Sequence, residues 1–306
     1  MKTIISSLLL LWATCITANA CTVCGCTATN QYLGILPQST DNFVGIQYQY
    51  RYFNSTHDEL DAAGKKIAST EYYNTVQLWG KYNIGSRVQL FAFVPYVFNE
   101  VHEESITTRT KGMGDASVLA NVRLLGNECN GKKWQHALQA GAGVKLPTGA
   151  YDNNILNSGD LLPNMLPGTN SWDFIANANY TLKHGKGGVN VDASYTATTA
   201  NKLGYKYGNR LSTGILGFYS WQKGQVSLLP QAGLRMDVAG TDYENYSTKL
   251  MNDMSGGEQL YFSVGVQAYY RRFGLQLMGH KPVVQHYAGG MVSNKIKTEA
   301  GLYFLF

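Results

Sequence analysis

The sequence predicts an all-β protein, specifically a transmembrane antiparallel up-and-down β-barrel of about twelve strands. Three observations carry that expectation: runs in which apolar and polar residues strictly alternate, a last run that ends on Phe306, and an opening segment with the order of an export signal.

In the opening segment, Lys2 is followed by an apolar run from Ile4 to Trp12 and then by Ala18, Asn19 and Ala20, the charged, apolar and small-residue order of a signal peptide cleaved after Ala20. A membrane-spanning helix would need about 20 apolar residues. This run is too short for one, and Thr14, Thr17 and Asn19 break up the residues after Trp12. Downstream, no stretch of about 18 apolar residues occurs, which excludes a helical membrane protein. A barrel turns only alternate residues to lipid, so the mean hydropathy of −0.19 is compatible with one. The 21 Tyr and 33 Gly against only 7 Pro suit strands, barrel corners and interfacial aromatic girdles. A formal charge of +5 without Lys/Arg clusters argues against a nucleic-acid partner and leaves membrane lipids as the expected surroundings.

Alternation places strands near 43 to 53, 70 to 83, 87 to 99, 113 to 125, 134 to 147 and 172 to 183. Six more lie near 188 to 199, 209 to 221, 225 to 237, 258 to 271, 273 to 285 and 295 to 306. In the first, Val44, Ile46, Tyr48, Tyr50 and Tyr52 face one way, and Gly45, Gln47, Gln49 and Arg51 the other. In the last, Ile296, Thr298, Ala300, Leu302, Phe304 and Phe306 oppose Lys297, Glu299, Gly301, Tyr303 and Leu305, and a terminal Phe on such a strand resembles outer-membrane barrels generally.

An even strand number puts both ends of a barrel on one side, and the connections then alternate short and long. Short ones fall around 83–86, 126–133, 184–187, 222–224 and 272; long ones around 54–69, 100–112, 148–171, 200–208, 238–257 and 286–294. Since short turns face the periplasm in such barrels, the expected organisation is a signal peptide over 1–20, a periplasmic segment over 21–41 open to a periplasmic partner, and an outer-membrane barrel over 42–306 with both N- and C-termini periplasmic. The alternative, a soluble all-β protein, would have to account for an apolar face on every strand.

Three stretches resemble a known group of outer-membrane barrels: Gly112-Met113-Gly114-Asp115, Val144-Lys145-Leu146-Pro147-Thr148-Gly149-Ala150-Tyr151-Asp152, and Pro167-Gly168-Thr169-Asn170-Ser171-Trp172-Asp173-Phe174. Together, in that order, they resemble the MetA-pathway phenol-degradation family of transporter barrels, over most of residues 42 to 306. Members commonly read Gly-Thr-Gly-Ser before the Trp, where this chain has Asn170 in place of the second Gly. The resemblance implies an outer-membrane transporter or porin for a small solute, with an aromatic solute as its suggestion. Read by themselves, Gly149 suits a turn, Pro147 ends a strand, and Asp115 and Asp173 cap turns or face the lumen.

Taking the polar faces as inward lines the lumen with Arg51, Lys81, Arg123, Lys145, Asp192, Arg235, Arg271 and Glu299 among others. The basic excess would favour anions in an open lumen; paired charges filling a narrow barrel are the alternative. An enzyme is not expected: no Gly-x-Ser-x-Gly elbow occurs, and the histidines show no evident Ser or carboxylate partner.

Four cysteines remain after cleavage: Cys21, Cys24 and Cys26 in Cys21-Thr22-Val23-Cys24-Gly25-Cys26, and Cys129 in a short turn on the same side. Three thiols within six residues plus a fourth suit one soft ion, copper(I) or zinc(II), so solute passage coupled to metal handling is one expectation. The same even set can form two disulfides in an oxidising compartment, which goes with a non-transporting binding or scaffold barrel, and Cys21 at the cleavage site opens a third reading, lipidation.

Overall fold

The computed structural model describes residues 41–60, 66–103, 106–126, 134–151, 163–252, 255–287 and 290–306. Cys21, Cys24, Cys26 and Cys129, and the whole 21–40 segment, lie outside the described residues.

The strands are β1 (Phe43–Leu60), β2 (Lys66–Ile84), β3 (Val88–Glu103), β4 (Ile106–Met113), β5 (Ser117–Leu125), β6 (Trp134–Lys145), β7 (Asp173–His184) and β8 (Gly187–Thr198), then β9 (Arg210–Tyr219), β10 (Trp221–Lys223), β11 (Val226–Ala239), β12 (Asp242–Asn245), β13 (Leu250–Asn252), β14 (Gly257–Tyr270), β15 (Phe273–Tyr287) and β16 (Val292–Leu305). Two staves are interrupted. β4 and β5 both pair with β3 on either side of 114–116, and β9 and β10 both pair with β11 on either side of Ser220. Counted as one stave each, they give a closed antiparallel barrel of twelve, with β1 hydrogen-bonded to β16 to close the sheet on itself.

The alternation in the sequence sorts the two faces. On β1 and β16, Ile46 and Leu302 are 56% and 65% exposed, while their neighbours Gln47 and Glu299 are 4% and 3% exposed. Outward Val, Leu, Ile, Phe, Tyr and Trp continue around the wall, an apolar belt that water would not tolerate and a bilayer requires. Tyr82, Trp134, Tyr219, Trp221, Tyr270 and Phe306 are exposed near the short-turn rim, where an aromatic girdle belongs. Among the described residues no helix is long and apolar enough to cross a membrane.

The interior is layered. Towards the short turns, Phe43, Trp79, Phe91, Phe93 and Tyr303 pack with Leu119, Ile175 and Leu305. Towards the long connections, Phe53, Tyr73, Val101, Met165, Tyr287 and Val292 form a second apolar layer. Between them lies a band of Gln, Asn, Ser and paired charges.

Two expected long loops are shorter than the sequence suggested. β1 and β2 run to Leu60 and from Lys66, and β3 and β4 run to Glu103 and from Ile106, so 54–69 and 100–112 are mostly ladder. The polar residues there end the apolar alternation without ending backbone pairing, because a strand leaving the membrane needs its hydrogen bonds but no greasy face. The 238–257 connection carries a separate hairpin, β12–β13.

Candidate functional site

The three stretches that marked the resemblance converge on one point inside the barrel. Asp115 stands in the break between β4 and β5, Lys145 ends β6, and Thr169, Ser171 and Asp173 lead into β7. The Lys145 ammonium lies 2.5 Å from Asp173 Oδ2 and 3.3 Å from Asp115 Oδ2, with both side chains of each pair at most 3% exposed. Lys145 also donates to Thr169 Oγ1 at 2.6 Å, and Thr169 donates its own hydroxyl at 2.6 Å and its amide at 2.8 Å to Asp115 Oδ2. The other Asp115 oxygen accepts the Gly149 amide at 2.9 Å, and Ser171 donates to Asp173 Oδ1 at 3.1 Å. A cation placed between two carboxylates, with hydroxyls and amides filling the remaining valences, is the arrangement that makes a buried ion pair tolerable.

This network draws the 163–172 segment into the barrel rather than leaving it over the surface. Asn164, Met165, Leu166 and Thr169 are all buried, and the Met165 carbonyl accepts from Asn99 Nδ2 at 3.1 Å and from the Thr110 hydroxyl at 2.5 Å. Gly149 and Gly168 meet backbone to backbone: a Cβ built on Gly149 would stand 2.6 Å from the Gly168 Cα. Asn170 has φ 54°, the left-handed conformation that Gly adopts freely and Asn adopts more readily than other side chains, so the residue in the place of the family's Gly keeps the same turn.

Two further networks occupy the polar band. Arg235 donates to Asp192 Oδ2 at 3.2 Å and to Ser212 Oγ at 2.9 Å, and Asp237 lies 3.8 Å from its Nε. On the neighbouring strands, Glu299 is 3.3 Å from Lys297, 3.6 Å from His280 Nε2, and accepts from Gln47 Nε2 at 3.2 Å. Ser263 Oγ lies 2.8 Å from His280 Nδ1. His280 therefore has both the hydroxyl and the carboxylate neighbour that the sequence did not reveal, because β14, β15 and β16 bring them together only in register. Ser263 is 0% exposed, so its hydroxyl is a packed hydrogen-bonding group rather than a nucleophile that a substrate could reach.

Of the residues expected to line the lumen, Arg51, Lys81, Lys145, Asp192, Arg235 and Glu299 are buried on the inner face. Lys81 holds its ammonium 5.7 Å from the centre of the Phe43 ring at the short-turn end. Arg123 is half-buried at the same rim, donating to the Ser86 carbonyl at 3.2 Å. Arg271 is not on the inner face: β14 ends at Tyr270, and Arg271 is exposed in the turn with φ 54° and Nε donating to Gln225 Oε1 at 2.6 Å. Alternation was extended one residue past the ladder, where the parity of faces no longer holds.

The expected basic excess is also corrected. Seven cations, Arg51, Lys81, Lys145, Lys206, Arg210, Arg235 and Lys297, and seven carboxylates, Glu71, Asp115, Asp173, Asp192, Asp237, Asp242 and Glu299, are buried among the described residues. Desolvated charges persist when matched, which is the paired-charge arrangement that the sequence left open beside an anion-favouring lumen. Thr169 and Ser171 stood in the sequence as motif residues without a role, and Ser263 and residues 163–166 gave no signal, because hydroxyls and loop residues carry no periodic pattern. Among the described residues, no group of three or more His, Cys, Asp or Glu could hold a metal ion.

A family profile described as "Putative MetA-pathway of phenol degradation" matches residues 54–269. Among solved structures, an outer membrane channel from Pseudomonas putida F1 shares 16% identity with a TM-score of 0.63, over 87% of this chain and 95% of that one. Less similar are the transport unit of the autotransporter AIDA-I from Escherichia coli, at 11% identity and TM-score 0.49 over 92% and 95%, and the β domain of the Bordetella autotransporter BrkA, at 9% and 0.48 over 88% and 100%. No curated protein sequence matches the chain.

Proposed function

The chain belongs to the MetA-pathway of phenol degradation family, and on that premise we propose that it is an outer-membrane barrel that passes a small solute combining an apolar body with a polar group, such as a hydroxylated or carboxylated aromatic ring. The observation that carries this reading is the layering of the interior, where aromatic layers at both ends enclose a band of amides and paired charges. In that band Gln267, Gln276, Gln47 and Gln77 stand in one row across β14, β15, β1 and β2. Gln276 Nε2, Gln77 Oε1 and Gln231 Oε1 are buried with no hydrogen-bond partner among the described residues. An unsatisfied buried amide costs about 1–3 kcal/mol, which a passing polar group relieves, while the packed rings of Trp79, Phe93 and Tyr303 give an aromatic body an apolar, aromatic surrounding at the short-turn end.

The side chains of the described interior leave little open space, so passage requires the inserted 163–172 segment to shift. Coupling to a soft metal, copper(I) or zinc(II), through Cys21, Cys24, Cys26 and Cys129 is a further part of the proposal and rests on their spacing alone. Proteoliposomes containing the barrel should take up labelled benzoate about tenfold faster than protein-free ones, with little preference between benzoate and a neutral hydroxylated analogue of the same size. A barrel that passes neither solute would favour instead a binding or scaffold role.

A further inference from the structure

The buried charges of the interior match in number but not everywhere in space. Asp115 and Asp173 share Lys145, Asp192 and Asp237 share Arg235, and Glu299 pairs with Lys297. Glu71 is 1% exposed and stands in no ion pair among the described residues. It projects inward from β2, in register between Phe53 of β1 and Val101 of β3. Arg51, one inward position away on β1, has its guanidinium on Gln49, 3.5 Å from Oε1.

Three hydroxyls donate to the Glu71 carboxylate: Ser55 and Ser69 to Oε1, the latter at 3.3 Å, and Tyr73 to Oε2 at 2.7 Å. Hydroxyls supply hydrogen bonds but no opposite charge, and a carboxylate taken out of water needs both. Asn99, the inward residue of β3 that faces Tyr73 in register, is 4% exposed. Its Nδ2 donates to the Met165 carbonyl at 3.1 Å, which fixes the orientation of the amide. Asn99 Oδ1 is thereby left buried without a hydrogen-bond partner among the described residues. Diagonal neighbours on paired strands stand about 7–8 Å apart at the backbone, a gap that one small group between their side chains can bridge.

The vacant positions, a remaining lone pair on Glu71 Oε2 and Asn99 Oδ1, are both acceptors, so the group that fits them is one that only donates. A carboxylate guest would add like charge, and a hydroxyl guest would leave the charge unmatched; an ammonium supplies both donors and charge. The surroundings select its body. Phe53, Tyr73, Val101, Met165, Tyr287 and Val292 pack at this level, with Phe53 and Tyr73 edge to face at 5.6 Å. An inorganic ion would give up its water shell against such a wall, whereas an ammonium on an apolar body brings its own cover and gains from nearby ring faces.

We propose that Glu71 and Asn99 form a binding site for one primary organic ammonium ion with an apolar body, in the aromatic layer that Met165 of the inserted segment helps to close. The site goes beyond the passage proposed above: it holds whether the amine stops there or moves on through the lumen.

The test is isothermal titration of the purified full-length barrel in a non-ionic detergent with phenethylamine as its ammonium salt, with the neutral phenethyl alcohol, and with sodium chloride. Heat-modifiability on gels confirms that each sample is folded, and benzoate uptake is measured apart, so neither the barrel nor the passage reading is confused with the site. Wild type should bind one amine about tenfold more tightly than the alcohol. Glu71→Gln, close in shape but uncharged, should bring the amine to the affinity of the alcohol. Asn99→Ala should weaken the amine about threefold and leave the alcohol unchanged. Three results overturn the proposal: equal affinity for amine and alcohol in wild type, amine binding unchanged in a folded Glu71→Gln barrel, or displacement of the amine by sodium at equal concentration, which would assign the carboxylate to an inorganic ion. If Glu71→Gln does not fold, the wild-type comparison of amine and alcohol still decides the question.

Discussion

Tyr303 shows how a single ring can depend on missing side chains. Its phenol donates to Gln276 Oε1 at 2.9 Å, and its ring lies along Gly45, Gly274 and Gly301 on three adjacent strands. A Cβ added to Gly301 would stand 2.8 Å from the ring's Cζ. Gly301→Ala should therefore lower unfolding stability in detergent by about 1–3 kcal/mol through overpacking, and Gly301→Ala combined with Tyr303→Leu should regain part of that loss. Equal, additive losses would show that the ring and the glycine do not meet. At the long connections, Asp242 accepts from the Tyr205 hydroxyl at 2.7 Å and the Gly208 amide at 2.6 Å. Burial pushes its carboxyl above the usual range, and these two hydrogen bonds only partly oppose the shift. A raised folded pKa means that the folded state takes up the proton first, so this contact gains stability as pH falls through the folded value and loses it as pH rises. Protection factors in β12–β13, taken relative to unstructured-peptide exchange at each pH, should rise as pH falls through the range of the Asp242 carboxyl, and Asp242→Asn should abolish the rise.

At the scale of the element, the 163–172 segment is held by Lys145, Asp115 and Asp173 rather than by regular secondary structure beyond the short turn Pro163–Met165. Removing one partner of a buried pair leaves the others uncompensated, so Lys145→Met should cost about 3–5 kcal/mol. Asp115→Asn also loses acceptor capacity for Thr169 and Gly149 and should fall in the same direction. Both should raise ion conductance in planar bilayers, because a loosened segment clears the interior. Conductance unchanged in a folded Lys145→Met barrel would mean that the segment does not gate the path. The stretches around Asp115, Lys145 and Thr169 were visible in the sequence as motifs, and their physical reading there was of turns, caps or lumen-facing side chains. That they form one clamp was not visible, because the partners lie 24 to 54 residues apart and meet only through barrel curvature.

For the whole molecule, alternating connection lengths imply short turns on the periplasmic side and long connections outside. A cysteine introduced at Ser247, exposed in the β12–β13 connection, should react with a membrane-impermeant thiol reagent on intact cells, and one introduced at Lys186, exposed in the short turn between β7 and β8, should not. The reverse pattern would invert the barrel. The native cysteines Cys21, Cys24, Cys26 and Cys129 are tested by intact mass and metal content without reductant. A thiolate site should show near-stoichiometric copper or zinc, released when Cys24 and Cys26 are changed to Ser. Disulfides should show protein about two hydrogens lighter per bridge and no metal, and lipidation should show a large mass gain on Cys21.

By itself the sequence determined the stave count, the boundaries of the ladder within the membrane and which residues face lipid, because side-chain direction in a strand is a local consequence of backbone pleat. Ile46 and Leu302 outward, Gln47 and Glu299 inward, followed from parity alone. Only the tertiary structure decided what the inward groups do to one another. Closure of the curved sheet places Gln47 within 3.2 Å of Glu299 across 252 residues of chain and brings Arg235 to Asp192 across the intervening β9. It also turned an expected basic lumen into a matched one, since desolvation inside a narrow barrel makes each buried charge seek its opposite whatever its neighbours in sequence.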